Sequence, residues 1–266
     1  METRIASGVI GLALLIVILS APAWCMKIAV ALVSFIAIWE IFSVCRLKNH
    51  KKLLVTGLLA DAAIIASFVF DTKFILPILY VLVPVLFILF MTDIKNIRFK
   101  NITKTLFGVL YISLFLGSLI LIRDLENGRY LIWIVFVAAF FTDTFALIFG
   151  KIIGKHKMCP RLSPKKTVEG ALGGVLGSVI GMILYCYMTL TYFKLTPNYI
   201  YAAIIFVLAS VVSQIGDLAA SSVKREYDVK DYGKIMPGHG GILDRLDSVM
   251  FVAPFVYYML LFLPVL

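Results

Sequence analysis

Three carboxylates in the C-terminal quarter of the chain have the types and spacing to do chemistry. Asp217 lies in "SQIGDLAASSVKREYD" (213–228), near the end of a long apolar run. Asp244 and Asp247 open the next apolar run in "GGILDRLDS" (240–248). At a spacing of i, i+3 two side chains share one helix face. If the two runs pack together, three acidic groups meet at one membrane depth, where an ionisable side chain is costly and normally has a partner. Hard cations such as Mg²⁺ take oxygen ligands and use one or two carboxylates together with substrate phosphates. The same residues also suit plainer ends. Asp244 and Asp247 favour a helix N-terminus through its dipole, and Asp217 could pair with Lys224 or Arg225.

Between these carboxylates lies "PGHGGILD" (237–244). Gly238, Gly240 and Gly241 permit left-handed or close-approach backbone, and they precede a helix N-terminus, which is a natural anion site. Lys224, Arg225, Lys230 and Arg245 supply positive charge nearby. His239 could donate to a phosphate or be an ordinary loop histidine. There is no GxxxxGK[ST] run and no GxGxxG after a strand, so P-loop and dinucleotide sites are unsupported. A second polar stretch runs from Asp143 to Glu169 and holds Lys151, Lys155, Lys157, Arg161, Lys165 and Lys166. It reads as a clamp for a polyanion or as an ordinary positive cytoplasmic loop. Ser163 and Thr167 add hydroxyl donors beside the lysines.

The elements that must position these groups are membrane spans. The chain has 266 residues, 62% of them hydrophobic and only 15% charged, against roughly half and a quarter in soluble domains. Nine apolar runs, roughly 5–23, 27–45, 53–70, 74–92, 105–122, 130–150, 170–191, 199–220 and 247–265, are read as transmembrane helices. Helices are required because lipid offers the backbone no hydrogen-bond partner. The first run carries an Ala-x-Ala at Ala21–Ala23 but is read as a span rather than a cleaved leader. Twenty of the 25 Lys and Arg fall on alternate flanks, leaving Lys27, Lys73, Arg123, Arg129 and Lys194 on the others. The N-terminus is therefore expected in the cytoplasm.

That asymmetry also accounts for the net charge of +10, so no nucleic-acid partner is expected. Lys95, Arg98 and Lys100 suit anionic membrane lipid headgroups. The four cysteines form no CxxC pair, which speaks against a zinc cluster or disulfide framework. The expected organisation is an all-α polytopic membrane protein. Helices in 1–104 hold few motifs, and a catalytic region in 105–266 presents cytoplasmic loops 151–169 and 221–246. Asp61, in mid-span, has no partner visible in the sequence, and Glu40 falls near the end of the second span.

Residues 221–247, "SSVKREYDVKDYGKIMPGHGGILDRLD", resemble the signature of the CDP-diacylglycerol synthase (phosphatidate cytidylyltransferase) family. The matching positions are Ser221, Lys224, Arg225, Lys230, Asp231, His239, Gly240, Gly241, Asp244, Arg245 and Asp247. "SQIGD" at 213–217, with Ser213, also matches. So does the stretch from Asp143 through "GKHK" (154–157) and "SPKKTVEG" (163–170), where Leu147 stands in place of a common Tyr. The clear similarity covers about the last half of the chain.

The resemblance implies transfer of a cytidylyl group from CTP to phosphatidate, giving CDP-diacylglycerol and pyrophosphate. It implies a nucleotidyltransferase of the cytoplasmic membrane face that uses Mg²⁺, alone or with a second cation, and forms a homodimer. By the same resemblance, Asp217 and Asp244 are the leading metal ligands, followed by Asp247 and Asp143. Lys166, Lys224, Arg225 and Arg245 would hold triphosphate or lipid phosphate, and His239 would orient a phosphate. A CDP-alcohol phosphotransferase would need DGxxAR and GxxxDxxxD runs, which are absent. A membrane lipid or polyprenol kinase, and an ion or lipid transporter built on the same acids, are the remaining alternatives.

Overall fold

The computed structural model describes residues 2–236, 238 and 240–266, with side chains from residue 8 onward. Helices α1 (Glu2–Ser20), α2 (Ala23–Val44), α3 (Lys51–Phe70) and α4 (Ile75–Thr92) follow one another directly. Next come α5 (Phe99–Val109) and α6 (Phe115–Asp124), continuous through a π turn at Leu110–Leu114. Then come α7 (Gly128–Ile152), α8 (Val168–Tyr192), α9 (Tyr199–Glu226) and α10 (Leu243–Phe262). Eight helical stretches are long and apolar enough to cross a membrane, and Gly8–Ser20 is a shorter apolar helix. The protein is an all-α polytopic membrane protein, as the hydrophobic runs require. Pro84 and Pro254 sit inside α4 and α10, which membrane helices tolerate because neighbours re-satisfy the freed backbone.

The chain forms two compact units, Met1–Leu121 with Tyr227–Arg245, and Ile122–Glu226 with Leu246–Leu266. In the first unit, Phe42 of α2 fills the space left by two glycines. A Cβ on Gly57 of α3 would come within 2.4 Å of its ring, and one on Gly108 of α5 within 2.9 Å. The same helices close over Asp61, whose carboxylate accepts from Ser34 Oγ at 3.0 Å and Ser113 Oγ at 2.7 Å. Ser113 lies on the π turn, a type of irregularity common where a side chain must be redirected.

In the second unit α7 and α8 pack at unusually close range. Gly173 and Gly177 face Phe149 and Phe145, whose Cβ atoms would each lie 2.4 Å from an added methyl. Small residues allow such approach where packing, not the hydrophobic effect, joins helices in lipid. Between α7 and α8 the chain makes an antiparallel hairpin, β1 (Lys157–Cys159) and β2 (Ser163–Thr167), with Lys157 opposite Thr167 and Cys159 opposite Ser163. Glu169 fixes its base, accepting from the backbone N–H of Lys155 at 3.0 Å and of His156, with His156 Nδ1 at 2.6 Å.

Candidate active site

In the second unit the hairpin, α7, α8 and α9 enclose a cavity of ≈ 430 Å³. Its polar lining includes Asp143, Lys151, Lys157, Ser163, Lys165, Lys166, Thr167, Gln214 and Asp217, and its apolar lining includes Ala146, Leu147, Met158 and Ala171. Lys166 Nζ lies 2.7 Å from Asp217 Oδ2. Ser221, one turn later on α9, reaches Asp217 Oδ1 at 3.5 Å. Asp143 faces both Asp217 and Asp247, along with the Ser248 hydroxyl and the Lys166 ammonium. Asp247 reaches this group because α10 crosses α9 at Gly216, where an added Cβ would lie 2.8 Å from the Asp247 carbonyl oxygen.

Local sequence explains how these groups are held. Thr167 caps α8 by accepting from the Gly170 N–H at 3.1 Å, which turns the strand into the helix directly after Lys166. Gln214 Nε2 donates to the Ala171 carbonyl at 3.2 Å, tying α9 to α8. The Ser213 hydroxyl, one turn before Asp217, and the Thr142 hydroxyl, beside Asp143, are buried with no hydrogen-bond partner among the described residues. Arg225 Nε donates to the Leu162 carbonyl at 3.4 Å, so the end of α9 touches the hairpin turn. Lys224 shares that last turn.

In the first unit the loop before α10 is organised by two carboxylates. Asp244 Oδ2 accepts from the backbone N–H of Tyr232 at 2.7 Å and of Gly241 at 2.9 Å. Glu40 of α2 accepts from the N–H of Ile242 at 3.0 Å and of Leu243 at 2.9 Å. These backbone donors, offered by the sequence to a phosphate, are thus held by side chains of the protein itself. This unit also holds a cavity of ≈ 570 Å³ lined by Lys230, Asp231, Lys234, Arg245 and four further residues that include Gly240. Gly240 has φ +90°, in the region that favours glycine.

The structure therefore gathers Asp143, Asp217, Asp247 and Lys166 in one unit, with Ser163, Thr167, Ser213, Ser221, Lys224 and Arg225 on the same elements. It gathers Lys230, Gly240, Gly241, Asp244 and Arg245 in the other. His239 lies outside the described residues. Among the described residues no group of three or more His, Cys, Asp or Glu is drawn together tightly enough to hold a metal ion. Sequence reasoning gave Glu40 no role. Its signal was a carboxylate inside an apolar run, which in lipid calls for a partner.

A family profile described as the cytidylyltransferase family matches residues 2–263. The phosphatidate cytidylyltransferase of Bacillus subtilis is 36% identical over 173 residues, 63% of this chain and 61% of that protein. That of Rickettsia bellii is 32% identical over 212 residues, 79% of this chain and 92% of that protein. That of Staphylococcus haemolyticus is 32% identical over 167 residues, 63% of this chain and 62% of that protein. Alignment thus takes in less than two thirds of the Bacillus and Staphylococcus proteins and nearly all of the Rickettsia one.

Proposed function

The chain belongs to the cytidylyltransferase family and so to the nucleotidyltransferases, and on that premise we propose that it converts CTP and phosphatidate to CDP-diacylglycerol and pyrophosphate. The observation that carries the reading is the Lys166–Asp217 pair at 2.7 Å in a cavity lined by both cationic and apolar residues. A lipid phosphate needs both kinds of surface, because its headgroup must meet a water-soluble nucleotide while its acyl chains stay in the bilayer. An intramembrane carboxylate is tolerable where it lines such a cavity. The lysine-rich flanks support a cavity that opens to the cytoplasm.

In the proposed reaction an oxygen of the lipid phosphate attacks the α-phosphorus of CTP. The bond from that phosphorus to the bridging oxygen breaks, and pyrophosphate leaves with its electron pair. The attacking oxygen is already anionic at neutral pH, so no strong general base is needed. Catalysis of this kind rests on positioning and charge neutralisation. Lys166, Lys165 and Lys157 offer cationic charge to the phosphates, and Ser163 offers a hydroxyl.

The donor chemistry of Asp143, Asp217 and Asp247 fits Mg²⁺. Asp143 and Asp217 line the cavity with Asp247 close to Asp143, and hard cations prefer carboxylate oxygens. Among the described residues no three are drawn together as an all-protein site, so one or two of these carboxylates would hold the ion jointly with the substrate phosphates, and when bound it would neutralise phosphate charge. Purified protein given Mg²⁺, CTP and phosphatidate is expected to release pyrophosphate and make a CDP-lipid, and Asp244→Asn to lose this turnover with expression intact. Wild-type protein that binds CTP yet makes no nucleotide-lipid would end the proposal. Flux of a solute through proteoliposomes without CTP consumption would point instead to a transporter.

A further inference from the structure

Glu40 is buried, with 2% of its surface exposed, and lies 202 positions before the backbone it binds. Its two oxygens take separate N–H groups, Ile242 on Oε1 and Leu243 on Oε2. The loop is shaped to receive it. An added Cβ on Gly233 would lie 2.3 Å from Oε1, and one on Gly241 would lie 2.4 Å from Oε2. So one carboxylate from α2 sits between the start and the end of the 233–241 segment. Asp244 pins the same segment from the α10 side through Tyr232 and Gly241. A carboxylate accepting backbone N–H groups at a helix start makes strong, charge-assisted bonds and is favoured by the dipole.

We propose that Glu40 is a positioning residue for the nucleotidyl transfer. It sets the loop that carries Lys230, Asp231, Gly240 and Arg245, and it touches no substrate itself. The inference rests on the proposed function, since the loop's task is taken from it. Glu40 is needed because the loop has little regular structure of its own. Only the isolated bridge between Met236 and Gly240 joins its two arms by backbone pairing among the described residues. Without the carboxylate, the Ile242 and Leu243 donors would be left unmet in a largely buried place, and the loop would re-form around other acceptors.

The test is a double-mutant cycle on Glu40→Ala and Gly233→Ala. Each is read by CTP turnover and by hydrogen exchange of the 227–245 segment in the purified full-length protein. Glu40→Ala should lower kcat by about 100-fold, the scale of an ångström-level misplacement. Exchange should rise in 227–245 while α7 and α8 stay as protected as in wild type. Gly233→Ala alone should lower kcat by pushing on Glu40, but add nothing in the Glu40→Ala background, where the space is free. Glu40→Gln, which keeps one acceptor oxygen, should fall between wild type and alanine.

Wild-type kcat in Glu40→Ala, or additive effects of the two substitutions, would overturn the proposal. So would loss of protection throughout α7 and α8, which would mark a general stability role. If wild type itself makes no CDP-lipid, the functional reading fails, and the exchange data still decide whether Glu40 holds the loop.

Discussion

Lys166 Nζ sits 2.7 Å from Asp217 Oδ2, joining strand β2 to helix α9 across 51 positions of sequence. The pair is half-buried, with Asp143 and Asp247 close by, so the ammonium is a counterweight to carboxylate charge. Lys166→Met should therefore remove both a phosphate-directed charge and that counterweight. Initial rates of pyrophosphate release should fall by about 10²–10³-fold, as when a single charge-stabilising donor is lost. A rate within a few-fold of wild type would rule out Lys166 as part of the reacting site.

Turnover should stop when divalent ions are stripped by EDTA and return when Mg²⁺ is added. Because Asp143 faces Asp217 and Asp247, Asp143→Asn should raise the Mg²⁺ concentration for half-maximal rate by about 10–100-fold. A titration curve that overlays wild type would remove Asp143 from the ion's surroundings.

Gly177 lets α7 and α8 meet, with Phe145 Cβ only 2.4 Å from where a methyl would stand and the Phe141 carbonyl oxygen at 2.9 Å. The backbone oxygen cannot swing aside as a side chain could. Gly177→Val should cost about 1–3 kcal/mol, the range for forcing extra atoms into a packed contact. Thermal unfolding in detergent would read this, and an unchanged midpoint would show that α7 and α8 can separate freely.

Asp61 bonds Ser34 and Ser113 inside the first unit and lies outside both cavities. Asp61→Ala should lower stability by about 1–2 kcal/mol, the scale of an interhelical polar contact in lipid, with kcat for CTP unchanged in the folded fraction. A large fall in kcat with a wild-type midpoint would give Asp61 a part in the reaction.

The distribution of Lys and Arg predicts an orientation that labelling can read. In a background with Cys25, Cys45, Cys159 and Cys186 replaced, a cysteine at Arg161 should resist a membrane-impermeant thiol reagent applied to intact cells, and one at Lys194 should react. The reverse pattern would invert the protein and put the cavity on the far side.

The sequence alone determined the fold class and most of the span boundaries. The reason is that lipid imposes one requirement, an internally bonded apolar helix, and composition records it directly. The run read at 130–150 is α7 at Gly128–Ile152, and that at 170–191 is α8 at Val168–Tyr192. The charged motif was equally plain, because polar residues are rare in such a chain. Tertiary structure alone decided which carboxylate serves which element. Asp217 pairs with Lys166 through the hairpin, and Glu40 reaches Leu243 across most of the chain. Asp61 finds Ser113, 52 positions away on a π turn. Such contacts depend on how helices cross and rotate, a matter of side-chain packing between distant segments. Hydrophobic periodicity along one segment carries no record of it.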